Sequence, residues 1–291
     1  MRNKFNEYLT SLNISPTTQS TYKSAFKNYE KVFNGDHEQS YADLCSMLEQ
    51  KQVNHDYMVL NTRLVRRFLK YLGVNTQKLV PMESVVYRRK PLTMEELQKV
   101  LQVSQGRVHQ EVVMLLGTGC RVGELSQVRY SDINWEEKSI VVHGKGDKYR
   151  VIPLTDGLIH YLDNEIEIRE KRPYLWYSNS NNSTYSGKPL SSRSIQMDIS
   201  QLGKLCHVAL TPHTFRHQYA TLMNKWGINK DVLSLITGHE NSSTIDYYIH
   251  DDENILEVMF KEFSKVEAKL DNLLFGKYVP LSNDTAQQTL I

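Results

Sequence analysis

The chain has 291 residues, of which 40% are hydrophobic and 23% charged, a balance typical of a globular protein with room for two domains. No apolar run approaches the ~20 residues of a membrane span, and three scattered cysteines argue against a disulfide framework. We therefore expect a cytoplasmic protein. Residues 1–88 carry 12 basic and 8 acidic side chains, whereas residues 251–291 carry 4 and 8. The basic front weakly favours a polyanionic partner, and the acidic tail favours a protein contact.

Residues 1–80 are predicted to form a helical domain. Ser15 is a typical N-cap with Pro16 at the first helical position, and apolar residues then recur at helical spacing. A second amphipathic segment ends at Gly73. Its polar face is either solvated or in contact with phosphates, and it carries Arg63, Arg66, Arg67 and Lys70.

A linker is predicted over 81–91, where two prolines bracket a stretch without clear periodicity. Thr93 and Glu96 then form a capping-box pattern that starts a second domain, over 92–291. Within it, two β-rich runs at 139–143 and 149–154 flank the sequence GKGDK and predict a hairpin. The remainder is mainly helical. The predicted fold is therefore mainly α with a small β-hairpin or sheet.

The segment after Tyr248 carries a continuous apolar stripe at helical spacing, which predicts a helix within 252–275. A stripe of this kind is too apolar to be left in water. Its members are Leu256, Met259, Phe263, Val266, Leu270 and Leu273.

Six polar residues of the second domain suit one kind of chemistry, the attack on a phosphodiester. A tyrosine hydroxyl can act as nucleophile, two guanidinium groups can clamp the non-bridging oxygens, and a histidine can accept the tyrosine proton. A lysine on the hairpin can protonate the departing 5′ oxygen. This scheme needs no metal, because the arginines provide the electrostatic stabilisation. His213 and Arg216 lie three apart, on one face of a predicted helix. The full set is Arg121, Lys145, His213, Arg216, His239 and Tyr248.

Four stretches of sequence carry a family resemblance. GTGCRVGELSQVRYSDI, HGKGDKYRVIPL, TPHTFRHQYATLM and TGHENSSTIDYYIH resemble, in order and spacing, the motif boxes of the tyrosine recombinases, or phage integrase family. The boxes cover about residues 92–250, and the chain's length resembles that of compact Xer proteins and transposon-borne resolvases. The resemblance implies a helical core-binding domain over 1–80 and a mixed α+β catalytic domain over 92–291.

The resemblance also assigns roles to individual residues. Arg121 matches the first family arginine, with Glu124 as the acidic residue that braces the site. His213 and Arg216 match the His-x-x-Arg pair. Lys145 matches the hairpin lysine, His239 the position held by His or Trp, and Tyr248 the nucleophile.

Two of these assignments have a close competitor. Tyr247 adjoins Tyr248, and adjacent helical residues point about 100° apart, so only one can face the phosphate. The family spacing selects Tyr248. Lys148 lies within reach of DNA near Lys145, and the GKG pattern favours Lys145. His217, next to the His-x-x-Arg pair, is assigned to helix packing.

The implied function is site-specific DNA recombination through a 3′-phosphotyrosine and a Holliday junction, in integration, excision or resolution. The implied partners are double-stranded DNA with an inverted-repeat core site and further copies of the chain, as a tetramer on two sites. No cofactor or metal is implied. The segment 252–275 would dock on a neighbouring protomer; the alternative is that it folds back on its own catalytic domain.

Two alternatives stay open. A metal-dependent hydrolase could use His213 and His217 at i, i+4, with Cys206, His239 and His250 nearby in sequence, but the glutamate of H-E-x-x-H is missing. A catalytically silent DNA-binding protein could have the same fold, although the complete set of site residues argues against it.

Overall fold

The structure is a computed structural model, and it divides the chain into two compact units, Met1–Arg89 and Lys90–Ile291. No helix among the described residues combines the length and apolar character needed to cross a membrane. The described residues are 1–80, 82–83, 90–144, 149–165, 173–178, 188–238 and 252–276.

The first unit is helical. Side-chain caps start its longer helices: Ser15 accepts a hydrogen bond from the backbone of Thr18, and Asn54 from that of Asp56. Its core is aromatic, with the rings of Phe5 and Phe26 stacked 3.9 Å apart. The helices are α1 (Arg2–Ser11), α2 (Pro16–Glu30), α3 (His37–Gln50) and α4 (His55–Tyr71).

The second unit surrounds a small sheet with helices. The predicted hairpin has a third strand, which pairs antiparallel with it at Ile133 and Ile140 in the strand order β1-β2-β3. The elements are α5 (Met94–Val103), α6 (Gly106–Thr118), α7 (Val122–Leu125), a 3₁₀ turn (Tyr130–Asp132), β1 (Ile133–Asn134), β2 (Ser139–His143), β3 (Tyr149–Pro153), α8 (Asp156–Glu165), α9 (Ser192–Cys206), α10 (Pro212–Trp226), α11 (Lys230–Thr237), α12 (Asp252–Ser264) and α13 (Glu267–Phe275).

Helix α6 is the centre of this unit. Residues 111–118 are fully buried, and the helix contacts α9 and α10. It ends at Gly119, which has a φ of +62°. A Cβ at this position would lie 2.4 Å from Cδ1 of Tyr219, so glycine is required both for the turn and for the close approach. The turn directs the chain into α7, with Arg121 as the residue that precedes it.

The C-terminal apolar stripe lies on two helices, α12 and α13, rather than one. Most of the stripe, including Met259 and Val266, is buried in the core of its own unit. Asp271 fastens α13, because it accepts hydrogen bonds from the Thr155 hydroxyl and from the backbone N–H of Gly157 at 3.0 Å. The alternative, that the stripe packs on its own domain, therefore holds for most of it, whereas Leu256 is 38% exposed. Docking by this segment stays a prediction, without the buried stripe as its basis.

Candidate active site

Three arginines from three different elements converge on the C-terminal end of α11. They come from the start of α7, from β3 and from α10, and each donates to one of three consecutive backbone carbonyl groups. The hydrogen bonds run from Arg150 Nε to Ile236 O at 2.8 Å, from Arg216 Nη2 to Thr237 O, and from Arg121 Nη2 to Gly238 O at 2.7 Å. The end of one short helix thus fixes three guanidinium groups.

The end of α11 is suited to bind cations. The last carbonyl groups of a helix have no partner within the helix and carry the negative end of its dipole. Gly238 ends α11 in the left-handed conformation, with a φ of +65°. A Cβ at Gly238 would lie 3.2 Å from Cδ of Arg150, so the small residue also lets the arginine pass close to the backbone.

Glu124 also binds two of the arginines that donate to the end of α11. Its carboxylate accepts both Nη groups of Arg150 at 2.7 Å, Nη1 of Arg121 at 2.9 Å and the Arg121 backbone N–H at 2.6 Å. The side chain is only 3% exposed. Burial alone would raise the pKa of Glu124, but the hydrogen bonds from Arg150 and Arg121 lower it to about 2. The carboxylate is therefore ionised at neutral pH.

Arg216 is the most deeply buried of the three, with 4% of its surface exposed. It also donates to Gly119 O at 2.8 Å, so it ties the turn after α6 to the end of α11. Burial, followed by the charges of Arg121 and Arg150, lowers the pKa of Arg216 to about 10. The group is still cationic at neutral pH. Three guanidinium groups and one carboxylate give this cluster a net charge of +2, which favours the binding of an anion.

The cluster reaches solvent through Arg121, whose side chain is 42% exposed. His213 is exposed in the first turn of α10, one turn before Arg216. This turn is fixed by Thr211, whose hydroxyl accepts the backbone N–H of Thr214 at 3.2 Å. His213 and Arg216 therefore lie on one helix, as predicted, and the N-cap at Thr211 fixes the start of that helix.

Several predicted site residues lie outside the described residues: Lys145, Lys148, His239, Tyr247, Tyr248 and His250. Strand β2 ends before 145–148 and β3 begins after it, and α11 ends just before His239.

His217 is described, and the prediction that it packs is wrong. Its side chain is exposed, with Nδ1 3.3 Å from the Thr221 hydroxyl. Among the described residues, no group of three or more His, Cys, Asp or Glu side chains could hold a metal ion.

Sequence reasoning missed Arg150. The available signal was its place in the GKGDKYR stretch, which also holds the two candidate lysines. The direction of the Arg150 side chain is visible only in the fold, where it points toward Glu124. Neighbouring residues of a strand point to opposite faces, and Tyr149 beside it is 67% exposed.

The polar face of α4 lines an open cavity of about 590 Å³ in the first unit. Arg66 is partly engaged, because its Nε and Nη2 donate to Thr76 O at 3.2 and 2.9 Å. Arg63, Arg67 and Lys70 line the same cavity, together with Glu83 and others. Contact of this face with DNA stays a prediction.

A mostly helical fold, with a cluster of net charge +2 that reaches solvent through Arg121, defines a protein equipped to bind an anion. Comparisons with known proteins make this specific. The model of the phage integrase family matches residues 90–254, more than half of the chain. Tyrosine recombinase XerA of Pyrococcus horikoshii is 27% identical over 251 residues, or 83% of this chain and 87% of the relative. Tyrosine recombinase XerD of Staphylococcus saprophyticus is 33% identical over 177 residues, 59% of each chain.

Solved structures share the fold. A lambda integrase dimer bound to a COC′ core site matches with a TM-score of 0.65 and 19% identity, covering 84% of this chain and 96% of that one. The Tn1549 transposon integrase in complex with transposon right end DNA matches with a TM-score of 0.66 and 16% identity, covering 90% and 98%. The chain therefore belongs to the phage integrase family, as a tyrosine recombinase that carries out site-specific DNA recombination. The comparisons favour neither the metal-dependent hydrolase nor the silent DNA-binding protein.

Proposed function

We propose that the chain exchanges DNA strands by attack of the Tyr248 hydroxyl on a phosphodiester, through a 3′-phosphotyrosine and then a Holliday junction. The physiological reaction is integration, excision or resolution. The observation that carries the proposal is the cluster around the end of α11, in which Arg121 and Arg216 are held with a net positive charge.

The arginines stabilise the reacting phosphate. A phosphodiester carries one negative charge, and charge accumulates on its non-bridging oxygens as the nucleophile arrives, so a fixed charge of +2 favours the transition state. Arg121 and Arg216 still have N–H donors beyond those bound to carbonyl groups and to Glu124, because each guanidinium carries five. Positions fixed before the reaction avoid the cost of reorganising these charges during it. In this scheme the guanidinium groups provide the stabilisation that a metal would otherwise supply, and no cofactor is used.

The remaining residues move protons. Tyr248 Oη bonds to phosphorus while the bond from phosphorus to the 5′ oxygen breaks. The tyrosine proton passes to His213, and the departing 5′ oxygen takes a proton from Lys145. A 5′-hydroxyl from the other strand then attacks the phosphotyrosine, which reverses these steps and releases the enzyme. His239, which directly follows the end of α11, completes the set beside the phosphate.

The partners are double-stranded DNA with an inverted-repeat core site and three further copies of the chain. Neighbours by fold include a lambda integrase tetramer bound to a Holliday junction, at a TM-score of 0.64 and 19% identity. The arrangement proposed here is a core-binding domain over 1–80, a linker over 81–91 and a catalytic domain over 92–291. We place the protein in a bacterial-type cytoplasm, in association with DNA.

Protomer docking by 252–275 then uses the outer side of these helices. The buried part of the stripe is engaged within the chain, but Leu256, its first member, and Val258, also on α12, are 38% and 37% exposed. Apolar side chains at this exposure are available to a second copy.

The test is covalent capture, which does not require the target sequence. A pool of duplexes with a randomised core and a nick beside it is incubated with the protein, denatured, and screened for DNA attached to the chain. We expect wild type and Tyr247→Phe to capture DNA and Tyr248→Phe to bind DNA without capturing it, because only the nucleophilic hydroxyl is lost. If Tyr247→Phe is the inactive variant, the assignment of the nucleophile is wrong. If wild type captures nothing, the proposed function fails.

A further inference from the structure

Arg150 links Glu124 to the end of α11, and these two groups hold Arg121 and Arg216 in place. It binds the Glu124 carboxylate with both Nη groups at 2.7 Å and the Ile236 carbonyl with Nε at 2.8 Å. Glu124 in turn orients Arg121, and the end of α11 accepts hydrogen bonds from Arg121 and Arg216. Arg150 is 13% exposed, and its Nε and both of its Nη groups already donate to Ile236 and Glu124.

We propose that Arg150 is a positioning residue for strand cleavage: its forked contact holds Glu124 and the end of α11 in register and thereby orients the guanidinium groups of Arg121 and Arg216. This inference rests on the proposed function. It adds a residue that the six catalytic positions do not include. It acts through Glu124 and the backbone of α11, and not by contact with DNA.

The geometry of the contact requires a planar fork. Two Nη groups meet two carboxylate oxygens while Nε faces a third acceptor, which is an arrangement that guanidinium offers and ammonium does not. A lysine at 150 would retain the charge of the cluster but could not satisfy both Glu124 and Ile236. The comparison of Arg150→Lys with Arg150→Gln therefore separates orientation from charge.

The loss of Arg150 would also change the ionisation of Glu124. Among the described residues, the groups that face this carboxylate are Arg121 from α7, Arg150 from β3, Arg216 from α10 and the Cys120 thiol. Hydrogen bonds from Arg150 are the largest influence that lowers the pKa of Glu124 against its burial. Without them the pKa of Glu124 rises, and the carboxyl group becomes protonated as the pH falls. A protonated Glu124 binds Arg121 more weakly.

The experiment measures single-turnover covalent attachment to a nicked duplex recovered by capture on wild type. A small misplacement of reacting groups can cost about 10²-fold in rate. We expect Arg150→Lys to slow attachment by about 10- to 100-fold, with a less than about threefold change in affinity for the same duplex. The matched control is Arg107→Gln, which removes an arginine that pairs with the buried Glu111 and with Asp198 elsewhere in the same unit. Its attachment rate should stay within about twofold of wild type once equal amounts of folded protein are compared.

Two further readouts separate positioning from a general loss of stability. The rate of Arg150→Gln relative to wild type should fall as the pH decreases from 8 to 5.5, whereas a purely structural defect gives a ratio that is constant with pH. In a double-mutant cycle, adding Glu124→Gln to Arg150→Gln should slow attachment little beyond the slower single variant.

The inference is overturned if Arg150→Lys attaches at the wild-type rate, if the ratio does not change with pH, or if the two substitutions multiply as independent effects. Should Arg150→Gln not fold, Arg150→Lys and the control still decide the question. These outcomes presuppose that wild type forms the covalent complex. A wild type that forms none refutes the proposed function instead.

Discussion

Glu111 offers a test of how this fold accommodates a buried carboxyl group. Its side chain on α6 is fully buried, and neither carboxylate oxygen accepts a hydrogen bond within the described part of the chain. The Nε of Arg107 lies 3.2 Å away, but Arg107 also donates to Asp198 at 2.7 Å. Burial, followed by the negative charge of Asp198, raises the pKa of Glu111 from 4.5 to about 8. The folded protein therefore holds this carboxyl group protonated at neutral pH.

The sign and size of the effect follow from proton linkage. The unfolded chain releases the proton near pH 4.5 and the folded chain near pH 8, so the folded state binds the extra proton between these values. The contribution of Glu111 to stability is complete below pH 4.5 and decreases by about 1.4 kcal/mol per pH unit until the pH passes 8. At pH 7 the loss is about 3 kcal/mol. Glu111→Gln has the shape of the protonated carboxyl and cannot ionise, so we expect the variant to be more stable at pH 7 by about this amount.

Urea unfolding between pH 4.5 and 8.5 measures this difference, with tryptophan fluorescence as the signal. All three tryptophans lie in the second unit, and Trp176 donates to Gln110 next to Glu111. The control is Glu95→Gln, an exposed carboxylate on α5 that should change the free energy of unfolding by less than about 0.5 kcal/mol. The reasoning fails if Glu111→Gln is less stable than wild type at pH 7, or if both proteins lose stability equally as the pH rises.

Three other predictions concern DNA and the C-terminal helices. Arg121→Ala and Arg216→Ala should each slow covalent attachment by about 10³-fold or more while DNA binding falls much less, and EDTA should leave attachment unchanged; near-normal cleavage by either variant would remove that arginine from the site. Replacing the three arginines of the α4 face with glutamine should reduce the slope of log affinity against log salt, and an unchanged slope would mean that this face is simply solvated. Truncation after Asp252 should give a protein that unfolds at a lower urea concentration or does not fold, because the core loses Met259, Phe263, Val266 and Leu270; a truncated protein of wild-type stability would contradict the observed packing.

Local pattern predicted much of the fold. The capping box at Thr93 and the cap at Ser15 start helices where expected, because these motifs are satisfied within a few residues. The two longer strands were also predicted, since β-rich runs on either side of the turn sequence GKGDK are visible in sequence. Strand β1 was missed because two residues are too short to show a period, and its pairing at Ile133 depends on the sheet it joins.

The candidate site was predictable where it follows motif spacing and not where it depends on convergence. Arg121, Glu124 and Arg216 were identified from the family boxes, but nothing local indicates that three arginines meet on successive carbonyl groups of α11. Arg150 escaped notice because its role depends on contacts with Glu124 and Ile236, which lie 26 and 86 residues away in the chain. The C-terminal stripe was recognised as apolar, but a one-dimensional pattern cannot say whether its own chain or another covers it.

The most direct test of the central claim replaces the charge that the arginine cluster is meant to neutralise. A captured duplex is resynthesised with a methylphosphonate at the scissile position, so that one non-bridging oxygen becomes a neutral methyl group, and attachment by wild type and Arg216→Ala is compared on both substrates. On the phosphate we expect wild type to be about 10³-fold faster; on the methylphosphonate this advantage should shrink to about 10-fold or less, because less negative charge develops in the transition state. An advantage that stays near 10³-fold on the neutral substrate would contradict the claim that the cluster acts by stabilising charge on the phosphate.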